Sequence, residues 1–258
     1  MSGFEALSLI LTAAAAGAIN AVAGGGTMLT FPALLFFGTP TIVANATSTV
    51  ALVIGTAGSI YGFRQQLAAV RPWLMRFVPA SALGGWLGSL LLTRTEETTF
   101  ARLVPFLILF ATLLFLAQDA FRRMARDSVQ QDAPASGHGL WLSIGFQFAV
   151  AIYGGYFGAG IGILMLASLG FIGLRDIHEM NALKNVLGSL INLVAAAWFI
   201  ASGLIDWPKA AVMTGGALVG YFVGAHFSQQ IPQARVRQLI TSIGLLLSAV
   251  MFYQQFLA

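Results

Sequence analysis

Apolar residues fill long stretches of the chain, and charge, proline or glycine marks their ends. The stretches run roughly over 5–22, 27–37, 42–63, 73–93, 102–120, 140–158, 163–173, 178–200, 208–228 and 236–256. Eight are long enough to cross a hydrocarbon core of about 30 Å as helices, which takes roughly 20 residues. The segments 27–37 and 163–173 hold about eleven residues each, roughly 16 Å of helix, and can cross only part of it. Each follows a glycine cluster where the backbone can bend or unwind, Gly24-Gly25-Gly26 in one case and Gly158-Ala159-Gly160-Ile161-Gly162 in the other.

An internal duplication accounts for the pairing. A shift of 136 residues aligns Gly24 with Gly160, Gly26 with Gly162, Asn45 with Asn181, Pro72 with Pro208, Gly84 with Gly220, Gly88 with Gly224 and Leu103 with Leu239. The first apolar segment therefore has a structural partner at 141–158, which argues against a cleaved signal peptide.

Charge orients the repeat, because cytoplasmic connections collect Arg and Lys. Counting ten segments puts three basic groups on one side: Arg64, Arg71 and Arg76; Arg122, Arg123 and Arg126; and Arg235 with Arg237. The mixed connections, Arg94 with Glu96 and Glu97, and Asp206 with Lys209, fall opposite. Five segments per half is an odd number, so the halves are expected to be inverted, with both termini outside. If the short segments instead return to the face they left, each half has four crossings and the repeat is parallel. The expectation is an all-α polytopic membrane protein of two five-segment repeats, inverted, each with one short half-helix or re-entrant segment after a glycine-rich break. The repeats occupy 1–120 and 140–258, joined by a cytoplasmic linker at 121–139 within the polar stretch from Asp119 to Gly139.

Composition agrees. With 58% hydrophobic and 9% charged residues and a mean hydropathy of +0.84, a water-soluble globule is ruled out. The net charge of +4 does not point to nucleic acid, because the basic residues sit singly or in threes beside apolar stretches, as topology signals do. The absence of cysteine removes disulfide, thiolate and iron–sulfur chemistry, and three histidines form no metal-ligand pattern, so no cofactor is expected. Metalloprotease, nucleophile-elbow and Walker motifs are missing, and so is an enzyme reading. The Gly158–Gly162 run is no dinucleotide loop, since a membrane helix and not a strand precedes it.

Polar residues inside membrane segments are costly unless they face a cavity or a partner. In the second half Asn181, Lys184, Asn185, Gly188 and Asn192 recur at three- and four-residue steps on one helical face. At the equivalent place in the first half stand Asn45, Ser48, Thr49, Leu52 and Thr56. Lys184, about 9 Å along a helix that begins near His178, is a candidate positive charge for an anion; the alternative is that it snorkels to the interface and pairs with Asp176 or Glu179. The helix starts after the glycine clusters present amide hydrogens without intrahelical partners, a second source of positive charge. Gly24, Gly25, Gly26, Gly160 and Gly162 belong to these starts, with Thr27 and Tyr156 as neighbouring hydroxyls. Close helix packing is the other use of such glycines. The pairs Gly84/Gly88 and Gly220/Gly224 read as packing faces and leave a homodimer open. No carboxylate falls in the middle of a segment, so a carboxylate proton relay has no candidate.

The run Gly24-Gly25-Gly26-Thr27-Met28, then Pro32, then Ala44-Asn45-Ala46-Thr47-Ser48-Thr49, with a weaker copy at Gly160-Ile161-Gly162 and Asn181-Ala182-Leu183-Lys184-Asn185, resembles the TauE/SafE family over nearly the whole chain. The resemblance implies a permease of the bacterial inner membrane for sulfite, sulfoacetate or another organosulfonate. Its partners would be a small anion and the lipid bilayer. Asn45, Ser48, Thr49, Asn181 and Asn185 would donate to the sulfonate, and Lys184 or the helix starts would balance its charge. An anion channel shares every one of these features, and a non-transporting scaffold is a more distant alternative.

Overall fold

Helix is the only way for such apolar stretches to satisfy their own backbone away from water. The computed structural model describes residues 1–22, 25–62, 67–130, 137–170, 177–227 and 233–256. They form α1 (Gly3–Val22), α2 (Thr27–Phe36), α3 (Thr41–Gly62), α4 (Leu67–Arg94), α5 (Glu97–Gln130), α6 (Gly137–Tyr156), α7 (Ile161–Gly170), α8 (Ile177–Ala201), α9 (Trp207–Phe227) and α10 (Gln233–Phe256). No strand occurs among the described residues. Eight helices have 20 residues or more, and α2 and α7 have 10 each. Five (Gly3–Ala21, Val70–Arg94, Glu97–Phe121, Glu179–Ala201 and Arg235–Gln255) are long and apolar enough to cross a membrane by length and composition alone. The polar interval after Asp119 is helical as far as Gln130, because α5 continues through Arg122, Arg123 and Arg126 without a breaker; residues 131–136 lie outside the described residues.

The halves interlock. The first helix of each packs on the fourth helix of the other, α1 on α9 and α6 on α4, and these are the two most extensive interfaces. Small residues cause this. A Cβ placed on Gly216, Gly220 or Gly224 would meet the backbone of Ile10, Ala14 or Ala18, and one on Gly84 or Gly88 would meet that of Phe148 or Ile152. The two Gly-x-x-x-Gly faces are thus filled inside the chain, which removes the sequence argument that left a homodimer open.

The same contacts give helix directions. Pairing advances in step from Ile10–Gly216 to Ala18–Gly224, so α1 and α9 run parallel. α3 joins them, with Thr47 at Asp206 and Gly55 at Tyr221. α4, α6 and α8 form a second parallel set, through Gly84–Phe148 and Gly88–Ile152, then Gly85–Ile191 and Thr93–Trp198. The sets run oppositely, because Asn45 near the start of α3 meets Tyr156 at the end of α6. α5 and α10 are antiparallel, joined by the Asp119–Arg237 ion pair at one end and by Gln255 on the Arg102 carbonyl at the other.

The starts of α1, α3, α5 and α9 meet at one face. There the Lys209 ammonium lies 3.0 Å from Glu5 and 2.9 Å from Thr39 Oγ1, and Glu97 accepts from the Thr41 amide and hydroxyl and from the Ile42 amide, capping α3 across the chain. Arg71, Arg76, Arg123, Arg235 and Arg237 belong to the helix ends directed the other way. Phe31, Phe77, Phe100, Phe115 and Phe199 fill the interior, while Phe4, Leu11, Phe222 and Leu246 are exposed. Outward apolar side chains on helices of this length suit lipid, not water.

Candidate functional site

α2 and α7 each begin at a glycine break, and both breaks rest on one stretch of α5. Gly25 has φ 95°, and a Cβ there would stand 2.3 Å from the Phe115 ring. Gly160 has φ 78° and packs on Ala111 and Leu114. Only glycine combines that backbone with so close an approach. Residues 111–115 lie about one turn apart on α5, so the sites where the chain breaks in the two halves are neighbours across a single helix.

The first break is held from α1. Asn20 Oδ1 accepts the Gly26 amide hydrogen at 2.6 Å, and Asn20 Nδ2 donates to the Tyr221 hydroxyl at 2.8 Å. α2 then starts with the Met28 amide on the Gly25 carbonyl and the Leu29 amide on that of Gly26. Thr27, its first residue, is partly exposed, and Gly24 lies outside the described residues. The second break is held from α6, where the Tyr153 hydroxyl donates to the Ala159 carbonyl at 2.8 Å. Tyr156, the hydroxyl expected to neighbour Gly158, does not take part in this bond. Instead it is 3.4 Å from Thr95 Oγ1 with its ring edge-on to Phe100, because it lies on the face of α6 turned to the start of α5.

The two polar stripes are used differently. In the first half Ser48 is fully buried and shares a 2.6 Å hydrogen bond with Thr30 of α2, Thr49 Oγ1 donates to the Asn45 carbonyl at 2.9 Å, and Asn45 Nδ2 donates to the Tyr156 carbonyl at 3.1 Å. Ser48 and Asn45 thus tie α3 to α2 and α6, while the Thr49 bond stays within α3. In the second half Asn181, Lys184, Asn185 and Asn192 remain partly exposed. Lys184 Nζ donates to Asn181 Oδ1 at 3.3 Å, and its stem runs past the first turn of α7, with Cδ 3.8 Å from where a Cβ of Gly162 would be. Two turns on, Asn192 Oδ1 stands 3.9 Å from the corresponding point of Gly158. The α8 stripe therefore runs along the break that opens α7. Lys184 has other interactions besides its Asn181 contact within its own stripe; of its two alternative partners, Asp176 lies outside the described residues.

Electrostatically, the stem of Lys184 passes the start of α7, the positive end of that helix's dipole, while its ammonium rests on Asn181. Like charges brought together in an apolar protein favour an anion between them. Asn181, Asn185 and Asn192 add amide hydrogens for its oxygens. Among the described residues no group of three His, Cys, Asp or Glu is arranged to hold a metal ion. Asn20, Tyr153, Thr30 and Tyr221 were missed in the sequence. The duplication carried a signal for the first, since Asn20 falls opposite Tyr156 at the 136-residue shift.

A family model described as sulfite exporter TauE/SafE matches residues 9–251. A probable membrane transporter protein of Haemophilus influenzae is 30% identical over 92% of this chain and 90% of its own length. The probable membrane transporter protein YfcA of Escherichia coli K12 is 26% identical over 94% and 86%, and YunE of Bacillus subtilis, also named a probable membrane transporter protein, is 20% identical over 95% and 97%. No solved structure matches the chain.

Proposed function

The chain belongs to the sulfite exporter TauE/SafE family, and from that premise we propose that it carries a small sulfur oxyanion or organosulfonate bound between the break of α7 and the polar stripe of α8. That it is a multi-pass transporter of the cytoplasmic membrane, and not an enzyme, follows from the family itself. The observation that carries the substrate class is the position of Lys184, its stem against Gly162 at the start of α7 and its ammonium on Asn181. A tetrahedral or sulfonate head would place oxygens on the ammonium, on the first α7 amides and on Asn181 and Asn185. Gly25, Gly26 and Thr27 at the start of α2 are the equivalent surface of the first half, separated from it by α5.

In this reading the two halves are inverted, a view supported by the opposite directions of α1 and α6 and of α3 and α8. α2 and α7 then approach the middle of the bilayer from opposite faces, and transport proceeds as one set of helices rocks against the other. The arginine-bearing helix ends are cytoplasmic on the same reading.

The test is uptake of sulfite, sulfoacetate, taurine, sulfate and chloride into proteoliposomes, with wild type beside Lys184→Ala. Saturable flux of a sulfur anion, reduced by about tenfold or more in the variant, a loss of roughly 1.4 kcal/mol of binding, is the expected result. Unchanged flux in Lys184→Ala would move the binding charge away from α8. Flux that never saturates would make the protein a channel, and no flux of any sulfur anion would refute the substrate class.

A further inference from the structure

The two halves part company at one pair of equivalent positions. In the second half Asn181 Oδ1 accepts from the Lys184 ammonium at 3.3 Å. The 136-residue shift carries Asn181 onto Asn45 and Lys184 onto Ser48, so the first half keeps the amide and lacks the cation. Asn45 is 1% exposed, and among the described residues its Oδ1 is the buried side-chain atom left without a hydrogen-bond partner. Such an atom calls for an explanation in a native protein, an ion or a water among them.

We propose that a monovalent cation of sodium's size binds at Asn45 Oδ1 in the first half, in the role that the tethered ammonium of Lys184 fills in the second. Oxygens are what such a cation needs, and the residues next to Asn45 on α3, α2 and α6 carry them. Ser48 Oγ and Thr30 Oγ1 lie 2.6 Å from one another one turn along α3 from Asn45, and the Tyr156 carbonyl is 3.1 Å from Asn45 Nδ2. Tyr156 is also the last residue of α6, whose carboxyl end carries partial negative charge. Half-helix carboxyl ends and side-chain oxygens are the general means by which membrane transporters hold sodium. A covalent cation in one half and a dissolved one in the other would leave the protein able to neutralise both charges of a divalent sulfur oxyanion. That last role, as the coupling ion, rests on the transport reading above; the binding itself does not.

The experiment is thermal unfolding of the purified full chain in detergent, with no sulfur anion present, as sodium chloride replaces choline chloride at constant ionic strength. The expected result is a saturable rise in melting temperature for wild type, its loss in Asn45→Leu, and a half-saturating sodium concentration about tenfold lower in Asn45→Asp, which adds charge to the ligand set. An identical melting temperature in sodium and choline would overturn the proposal and leave a water on Asn45. So would a sodium response that survives Asn45→Leu. Should that variant not fold, Asn45→Asp decides, since an unchanged half-saturation places the cation elsewhere. Because no substrate enters the assay, failure of the sulfur-anion reading would leave its result standing.

Discussion

Asn20 Oδ1 accepts the amide hydrogen of Gly26 at 2.6 Å, across the bend that separates α1 from α2. An orphan amide at a helix start is ordinarily capped by the residue just before the helix; here a side chain six positions earlier does it, and its other end is fixed by Tyr221 of α9. The position of α2 is therefore set jointly by both halves of the protein.

Asn20→Leu should leave the Gly26 amide and the Tyr221 hydroxyl without their partner, a loss of about 1–3 kcal/mol for a buried donor. A lower melting temperature and weakened anion uptake are expected together. Tyr221→Phe, which removes one bond of the pair, should cost less. Equal melting temperatures for Asn20→Leu and wild type would mean that the bend is held by other contacts.

The number and length of the helices were legible because membrane thickness sets them and glycine clusters punctuate them. Segments read at 27–37 and 163–173 appear as α2 at Thr27–Phe36 and α7 at Ile161–Gly170. The polar residues of the interval after Asp119, with Pro134 and Gly137, mark it as a linker, yet charge does not end a helix, and α5 runs on through Arg122, Arg123 and Arg126 to Gln130. What no periodicity reveals is which helices meet. The crossing of α1 to α9 and of α6 to α4 depends on glycines matched between distant segments. For the same reason the stripe at Asn45, Ser48 and Thr49 looked equivalent to that at Asn181, Lys184 and Asn185. Its bond to Tyr156 comes from a helix 111 residues away, and its buried bond to Thr30 from the turn of α2 folded back beside it.

Gly220 provides a stability test with an internal control. A Cβ at this position would stand 1.9 Å from the Ala14 carbonyl oxygen, so Gly220→Ala forces α1 from α9 and should destabilise by about 1–3 kcal/mol. Gly215, on the same helix, has nothing within 4 Å of its Cβ position. Gly215→Ala should be neutral or stabilising by up to about 1 kcal/mol, because alanine holds helix better. Unfolding of both variants in the same detergent separates packing from propensity; equal effects would contradict the close crossing.

Tyr153 and Tyr156 distinguish the hydroxyl that holds the α7 break from the one that does not. Tyr153→Phe removes the 2.8 Å bond to the Ala159 carbonyl and should reduce anion uptake several-fold, through a loss of about 1 kcal/mol at the loop. Tyr156→Phe removes a 3.4 Å contact to Thr95 and should leave uptake near wild type. The reverse order of effects would put the Tyr156 hydroxyl beside the substrate.

Lys209 draws three helices together at the face opposite the arginine-bearing ends. Its ammonium lies 3.0 Å from Glu5 of α1, 3.7 Å from Asp206, 2.9 Å from Thr39 Oγ1 and 3.4 Å from the Phe37 carbonyl that follows α2. The Lys209 and Glu5 side chains are only 12% and 15% exposed, so water compensates poorly for a missing partner. Lys209→Met leaves two carboxylates near one another with the carbonyl unmet, and should lower the melting temperature. Adding Glu5→Gln removes one of those stranded charges. The double variant should therefore melt higher than Lys209→Met alone, a sign of coupling that independent surface charges would not give. A double variant that melts lower by the sum of the two single losses would mean that the lysine acts through Thr39 and the Phe37 carbonyl, with Glu5 a bystander.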